Sequence, residues 1–543
     1  MCRCGPTTLS GGTIDTGNAK IMATIHTSAG KLASGAKVSI CPATYLPAIC
    51  ADSATNMHQT VKETITDDSG YFHIDTLEAG AYRIEVNDGR SSAALWDVTL
   101  DSVATIIDDT LRPYAVVLGN AGTLSDTLIK RCLLVYGLNR RIAVNANGSF
   151  SISDLPAGTF RFRIAAEAKN SNVTPVDCDS VIARSSDTVS VPFAGWKKKA
   201  AITLNTSPSG ANVARDVYGF PLLIRLSKSN FHFSQASGSG NDCRFAKADG
   251  SPLAFEIERW DPVTELAEVW VRVDTIFGNN ATQSFLMFWG NPQIASGTNG
   301  TAVFDTANGF LAAYHFSGNL NDATWNEFNG IDNGTTDLAE GIIGRCRGFS
   351  GASYFHPDSL PDRPSGTISC WIKPEVTINS STSATLGIWG KKTSDSLDYT
   401  LSFRGGNDFF SGPGGAKAGG AGNLLVKFET PDTAYYLASA TSSFSSGVWY
   451  YVSWTWSEGK NILYINGSAE RSDTNSLGIS GDANDEIGRS FFDTDNIAGG
   501  GPLYFKGSLD EFRMDKRLRS ADWIKLCYMN QQPDDKLVKI ESR

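Results

Sequence analysis

The sequence lacks what a membrane-spanning, nucleic-acid-binding or metal-thiolate protein would need. No apolar run approaches the ~20 residues that cross a bilayer, so no transmembrane segment is expected. Basic residues are the minority, 47 Lys and Arg against 57 Asp and Glu, for a net charge of −10. The one dense basic patch, Lys197 to Lys199, reads as a solvated linker. With no basic stripe to neutralise phosphates, the balance argues against nucleic acid as a partner. The ten cysteines include no CxxC and no Cys/His cluster at zinc spacing. Cys41 with Cys50, Cys132 with Cys178 and Cys346 with Cys370 are candidate pairs that spacing does not establish. HExxH, GxSxG and GxxxxGK[ST] are all missing. The opening "MCRCGPTTLSGGTIDTGN" has no apolar h-region, so no signal peptide is legible.

What is present is the composition of a folded chain, 41% hydrophobic and 19% charged. At 543 residues it is too long for one core, and three to five domains are expected. Abundant Ser, Thr, Gly and Asn with aromatic-rich strands point to an extracellular or cell-surface location. On that reading an export signal lies upstream of this start, and Cys2 or Cys4 is the remnant of a lipid-anchored cysteine, as in an outer-membrane lipoprotein.

One piece of sequence occurs twice. "TDDSGYFHIDTLEAGAYRIEV" (66–86) returns as "VNANGSFSISDLPAGTFRFRI" (144–164), with Gly70, Phe72, Ile74, Leu77, Gly80 and Arg83 matching Gly148, Phe150, Ile152, Leu155, Gly158 and Arg161. Period-2 alternation before and after "LEAG" and "LPAG" predicts two strands closing a hairpin, with Gly80 and Gly158 free to take positive φ at the turn. The pattern G-K-x-x-x-G-A-x-V followed by T-D-x-x-G-x-F-x-I-x-x-L-x-x-G-x-Y-x-I resembles the carboxypeptidase regulatory-like and collagen-adhesin B-type modules. That resemblance implies prealbumin-like sandwiches serving as spacers: one over 18–108, and a second, divergent one over 109–195. Residues 1–17 read as an unstructured N-terminal segment.

Residues 198–302 carry "DCRFAKADG", "EIERWD", "EVWVRV" and "FWGNP", and resemble the bacterial domain of unknown function 2341. The family implies a β domain and no established activity. From 309 to 532, "AAYHF", "GTISCWIKPE", "VWYYVSWTWSEGKNILYING" and "FKGSLDEFRMDKRLRSADWI" resemble the laminin-G-like group of the concanavalin A-like lectin/glucanase superfamily, which implies a jelly roll of two antiparallel sheets. Residues 533–543 read as a C-terminal tail. The fold class expected is all-β: tandem β-sandwiches ending in a concanavalin A-like jelly roll.

Glucanases in that superfamily set Glu, Asp and Glu at alternate positions of one strand, and no E-x-D-x-x-E occurs here. Asp510 and Glu511 are adjacent, so a regular strand points them to opposite faces. The six histidines, His26, His58, His73, His232, His315 and His356, fall in different domains, although His315 and His356 are candidates to approach each other in the jelly roll. No enzyme is expected. Trp449, Trp454 and Trp456 read as core filling. Trp325, in the polar loop "NDATWNEFNG", is the exposed aromatic expected to bind ligand. The resemblance also implies one structural Ca²⁺, with Asp322 and Asp510 as ligands, against the alternative that both are ordinary turn and surface acids. The Gly-rich stretch 404–425 reads as a long loop with Phe409 and Phe410 at its tip.

The expected function is therefore non-catalytic binding or adhesion at the cell surface, the jelly roll recognising a polysaccharide or glycoprotein. The rivals are a structural role with an envelope protein as partner, and a polysaccharide hydrolase.

Overall fold

The computed structural model describes residues 19–48, 61–100, 104–124, 128–167, 173, 175–191, 194–247, 251–291, 294–357, 360–393, 397–406, 419–430, 433–475, 478–481, 483–491 and 502–541. The N-terminal segment with Cys2 and Cys4, Cys50, and the loop tip at Phe409 and Phe410 lie outside the described residues. The chain is all-β and forms two compact units, one of Met1–Lys198, Asp249–Pro252 and Phe288–Ser296, the other of Lys199–Ala248, Leu253–Met287 and Gly297–Arg543.

The first unit holds two modules of one topology. In each, a three-stranded sheet has the module's first strand at its centre. Ala19–His26 lies between Tyr71–Leu77 and, in parallel, Thr105–Thr110; Ala115–Asn120 lies between Ser149–Leu155 and, in parallel, Thr188–Val191. A second sheet closes each sandwich over its own apolar cluster, Ile21, Val38, Phe72 and Ile84 in one, Val117, Leu133, Phe150 and Phe162 in the other.

The repeated segment is not a hairpin. Tyr71–Leu77 pairs with the first strand, whereas Gly80–Asn87 pairs with Lys37–Pro42 and Ser92–Leu100 in the opposite sheet. Ser149–Leu155 and Gly158–Ala166 divide in the same way. Alternation marks a strand and its buried face but does not name the strand's partner. Positive φ also falls elsewhere than expected, at Gly70 (φ 67) and Gly148 (φ 84) rather than at Gly80 and Gly158. These two glycines close the turn that enters the repeat. Gly70 N–H donates to Asp67 O and Gly148 N–H to Asn145 O, while a Cβ on either would stand 2.5 Å from a backbone oxygen. The repeat is therefore a scaffold device, a tight turn followed by a crossover between sheets.

The modules are clasped reciprocally. Arg140 meets Glu85 through two bonds of 2.6 Å, and Arg83 donates to the backbone oxygens of Tyr136 and Thr159. Cys132 stands opposite Ala143 and Ala165 in its sheet, and Cys178 opposite Phe162.

In the second unit, Val217–Ser227, Leu266–Ile276 and Phe255–Asp261 form an antiparallel sheet in that order. The jelly roll stacks an eight-stranded sheet, with Lys506–Asp515, Gly366–Pro374 and Tyr450–Ser457 at its middle, on a seven-stranded one. The core between them includes Trp389, Trp454 and Trp456, all fully buried, with Ile368, Cys370, Leu509 and Phe512. Cys346 and Cys370 are free thiols. Cys370 faces this core, and the Cys346 thiol donates to Glu340 O.

The described residues of the expected tail, 533–541, are not all irregular. Val538–Glu541 is the edge strand of a sheet begun by Lys198–Leu204, pairing antiparallel from Ala201↔Glu541 to Leu204↔Val538. The helix before it, Ala521–Gln531, is capped by Ser520 and packs Trp523 edge-on against Phe220. Its Gln531 accepts the indole N–H of Trp371 at 2.6 Å.

Candidate functional site

The outer face of the eight-stranded sheet carries an unusual load of charge. On Lys506–Asp515 the core takes Leu509, Phe512 and Met514, so the period-2 phase slips between Leu509 and Phe512. The slip is a β-bulge. Ser369 pairs with Arg513 and Trp371 with Asp510, leaving both Glu511 and Phe512 opposite Cys370, with Glu511 at φ 50. The bulge thus keeps Asp510 and Glu511 both out of the core. The rule that neighbours point oppositely fails at this one position, because one extra residue resets the alternation.

The facing strand, Phe255–Asp261, has its own irregularity between Ile257 and Arg259, at Glu258. The two bulges bring Glu258 and Glu511 together at Nδ1 of His315, the residue after Phe310–Tyr314. His315 Nδ1 lies 2.7 Å from Glu511 Oε1 and 3.6 Å from Glu258 Oε2, and its Nε2 lies 3.4 Å from Glu256 Oε2. Trp270 Nε1 and Ser317 Oγ each donate to Glu258 at 2.8 Å, and Arg513 donates to the second oxygen of Glu511 at 2.5 Å. Trp270 and Phe304 pack on the imidazole, and the Arg513 guanidinium lies over both rings. The segment 340–344 comes close enough to require glycine. A Cβ on Gly341 would stand 2.6 Å from Asp510 Oδ2, and Ile343 N–H donates to that oxygen.

Burial and mutual charge divide these acids. Burial, with the charge of Glu511, pushes Glu258 up to about 8. Burial, with the charges of Glu511 and Glu258, raises Asp510 well above the carboxylate range. Burial also acts to raise Glu511, but His315 and Arg513 outweigh it and hold this carboxyl low. Burial would lower His315, and Glu511 and Glu256 instead raise it well above the usual imidazole value. Burial and mutual charge thus favour the charged forms of His315 and Glu511 and the protonated forms of Glu258 and Asp510. The side chains of Glu258 and Glu511 are 1% exposed, which leaves no path for a polymeric substrate to reach them.

Trp325 lies elsewhere, on a loop built to hold it out. Asp322 accepts from Ala313 N, Thr324 N, Thr324 Oγ1 and Phe328 N, and Asn326 Nδ2 donates to Leu311 O. Above this buried carboxylate the Trp325 ring is 76% exposed. Four donors occupy Asp322, and two backbone N–H groups face Asp510. A calcium ion at Asp322 would have to displace donors already bonded to it, whereas the two donors at Asp510 leave acceptor sites open. Asp322 belongs to the Trp325 loop and Asp510 to the buried cluster.

His356 contacts Asn484 and Pro357 O rather than His315. Trp449 is half-buried under Lys373 instead of filling the core. An open groove of about 410 Å³ on the jelly roll is lined by Thr336, Ser350, Lys373, Glu375 and Ser508 among others, and among the described lining residues the buried Phe349 is the one aromatic. The residues that sequence reasoning missed, Glu256, Glu258 and Arg513, were visible as E-x-E in "EIERWD" and E-x-R in "DEFRMD". Same-face charges of this kind read equally well as solvent-exposed.

Residues 239–328 match a family described as a domain of unknown function, DUF2341, and residues 348–525 match the concanavalin A-like lectin/glucanases superfamily. No curated protein matches the chain. Among solved structures it is similar to domain 4 of an extracellular GH43 arabinanase from Geobacillus stearothermophilus, in complex with arabinotriose. The identity is 21%, over 40% of this chain and 97% of that one, with a TM-score of 0.31. It is also similar to the binding domain of Paraclostridial Mosquitocidal Protein 1, at 14% identity over 41% of this chain and 52% of that one, TM-score 0.32. A SAP-like pentraxin from Limulus polyphemus matches at 17% identity over 36% and 91%, TM-score 0.25.

Proposed function

We propose that this chain is a non-catalytic binding protein of the cell exterior whose jelly roll recognises carbohydrate or glycoprotein, with Trp325 as the stacking face. The observation that carries this reading is the loop. A buried carboxylate that fixes four donors holds the loop in place, so the backbone carrying the exposed Trp325 ring is ordered before any ligand arrives. An ordered loop loses little backbone entropy when its aromatic ring stacks against a sugar face. The superfamily match over 348–525 supports a binding role, and Trp371, Trp389, Trp454 and Trp456 are buried and so withheld from ligand. The groove, poor in rings, favours a single stacking platform over a lined cleft.

Among the described residues no helix is long and apolar enough to cross a membrane, which leaves β-barrel spans and lipid anchoring untouched. The experiment is a glycan array followed by calorimetric titration of any hit with the intact chain. The reading expects binding that Trp325→Ala reduces at least tenfold while Trp325→Phe keeps most of it. A hit indifferent to both changes removes Trp325 from the site.

The rival structural reading has its own observation, the return of Val538–Glu541 and the helix before it onto strands more than 300 residues earlier. Stable association with envelope proteins, with no array signal, would favour it. Sugar release from a polysaccharide, abolished in Glu511→Gln, would favour the hydrolase.

A further inference from the structure

The buried cluster does more than its charges require. Glu258, His315 and Glu511 each offer one ligand atom, and the three atoms all lie within 4.8 Å of one another. We infer that they form a site for one divalent transition-metal ion, bound by His315 Nδ1 and one carboxylate oxygen from each glutamate, which pins the strand carrying Glu258 to the jelly-roll sheet.

The donor set is one imidazole nitrogen with two carboxylate oxygens. That mixture suits zinc or its first-row neighbours rather than calcium, which takes six to eight oxygens. The spacings of 2.7 and 3.6 Å from Nδ1 to the two carboxylates bracket the ~3 Å edge of a polyhedron with bonds of about 2.0–2.2 Å. Both glutamates are delivered by β-bulges, and Glu511 and Phe316, the neighbour of His315, hold positive φ (50 and 59). Backbone irregularity of this kind persists where the surroundings impose it.

The second observation is independent of the ligand geometry. His315 is 9% exposed, and its Nε2 completes no hydrogen bond; neither does Glu256 Oε2, 3.4 Å away, nor Arg513 Nε. A metal-bound imidazole characteristically turns its other N–H to a carboxylate, the position Glu256 holds. The remaining oxygens of the two ligand carboxylates are oriented by Ser317 and Arg513, while Trp270 Nε1 donates to Glu258 Oε2, the ligand oxygen itself.

The test uses the intact, tag-free chain expressed in zinc-supplemented medium, desalted, and assayed for bound metal by mass spectrometry, with a parallel preparation in cobalt. The inference expects about one zinc per chain and a visible cobalt d–d spectrum. Both should fall at least tenfold in Glu258→Gln and His315→Gln and persist in Asp322→Asn. X-ray absorption on the unaltered chain keeps the test open if a variant misfolds, since it must report one imidazole nitrogen with oxygen neighbours. A chain that retains no zinc or cobalt, or an absorption spectrum showing sulfur ligands, overturns the assignment and leaves an imidazolium bridging Glu511 and Glu256.

Discussion

The side chain of Asn530 bonds both backbone groups of Leu223, accepting from its N–H at 2.7 Å and donating to its C=O at 3.0 Å. Arg225, two residues on, donates to the carbonyls of Asn530, Gln531 and Gln532, the open end of the C-terminal helix. One helix end thus completes the hydrogen bonding of a strand 307 positions earlier.

Asn530→Ala should therefore be costly. It leaves a buried N–H and C=O without partners, at about 1–3 kcal/mol each when unsatisfied. Urea unfolding of the intact chain is expected to show a lower midpoint for the second unit. A variant ending at Asp534, which removes the edge strand Val538–Glu541, should lower it as well. Unchanged midpoints would show that the return of the chain contributes nothing to stability.

The two aligned glycines of the first repeat should respond oppositely. Gly70→Ala puts a Cβ 2.5 Å from Ile25 O at φ 67 and is expected to cost at least ~1–2 kcal/mol. Gly80→Ala meets nothing nearer than 3.6 Å at a φ any residue accepts. It should be neutral or stabilising by up to ~1 kcal/mol through the unfolded state. Calorimetric melting of the two variants separates them.

Asp322→Ala and Trp325→Ala should separate stability from binding. Removing Asp322 frees four donors in a buried loop and is expected to lower the melting temperature by several degrees. Removing the exposed Trp325 ring should shift stability by less than about 0.5 kcal/mol. Equal melting losses would mean that the ring is part of the packing.

Stability should fall as pH rises from about 4 to about 7. Burial holds Asp535 at about 7 against an ordinary 3.8, outweighing its bonds to Leu537 N and Asn530 and the field of Arg225. Below the ordinary value both states are protonated. Between the two values the unfolded chain releases a proton that the folded chain keeps, so folding weakens and the contribution is gone above the folded value. Asp398, held at about 6 by burial, acts in the same direction. Asp535→Asn should thus flatten the slope of urea midpoint against pH without abolishing it. An unchanged slope would show that Asp535 is ionised in the fold.

Much of the architecture was legible because a strand exposes alternate side chains. Val452, Trp454 and Trp456 read as one face and lie in one core. Phe72 with Ile74 and Phe150 with Ile152 read as inward positions of the repeat, and three of the four are buried. Trp325 stood out as an aromatic in a polar loop, and it is exposed. The errors arose where a single residue changes the period or where a partner is remote. The hairpin reading failed because pairing is a contact between distant segments. Asp510 and Glu511 were placed on opposite faces because a bulge leaves no mark in composition.

The amino-acid order by itself settled the element type, the inward faces and the modular all-β plan, since these follow from local backbone geometry and the burial of apolar side chains. Only the folded chain decided which strands cross between sheets, that the C-terminal strand returns to Lys198–Leu204, and that Glu258, His315 and Glu511 meet. Those outcomes depend on bulges and on contacts spanning more than 300 residues, where the energy lies in pairs of groups and not in any one stretch of sequence.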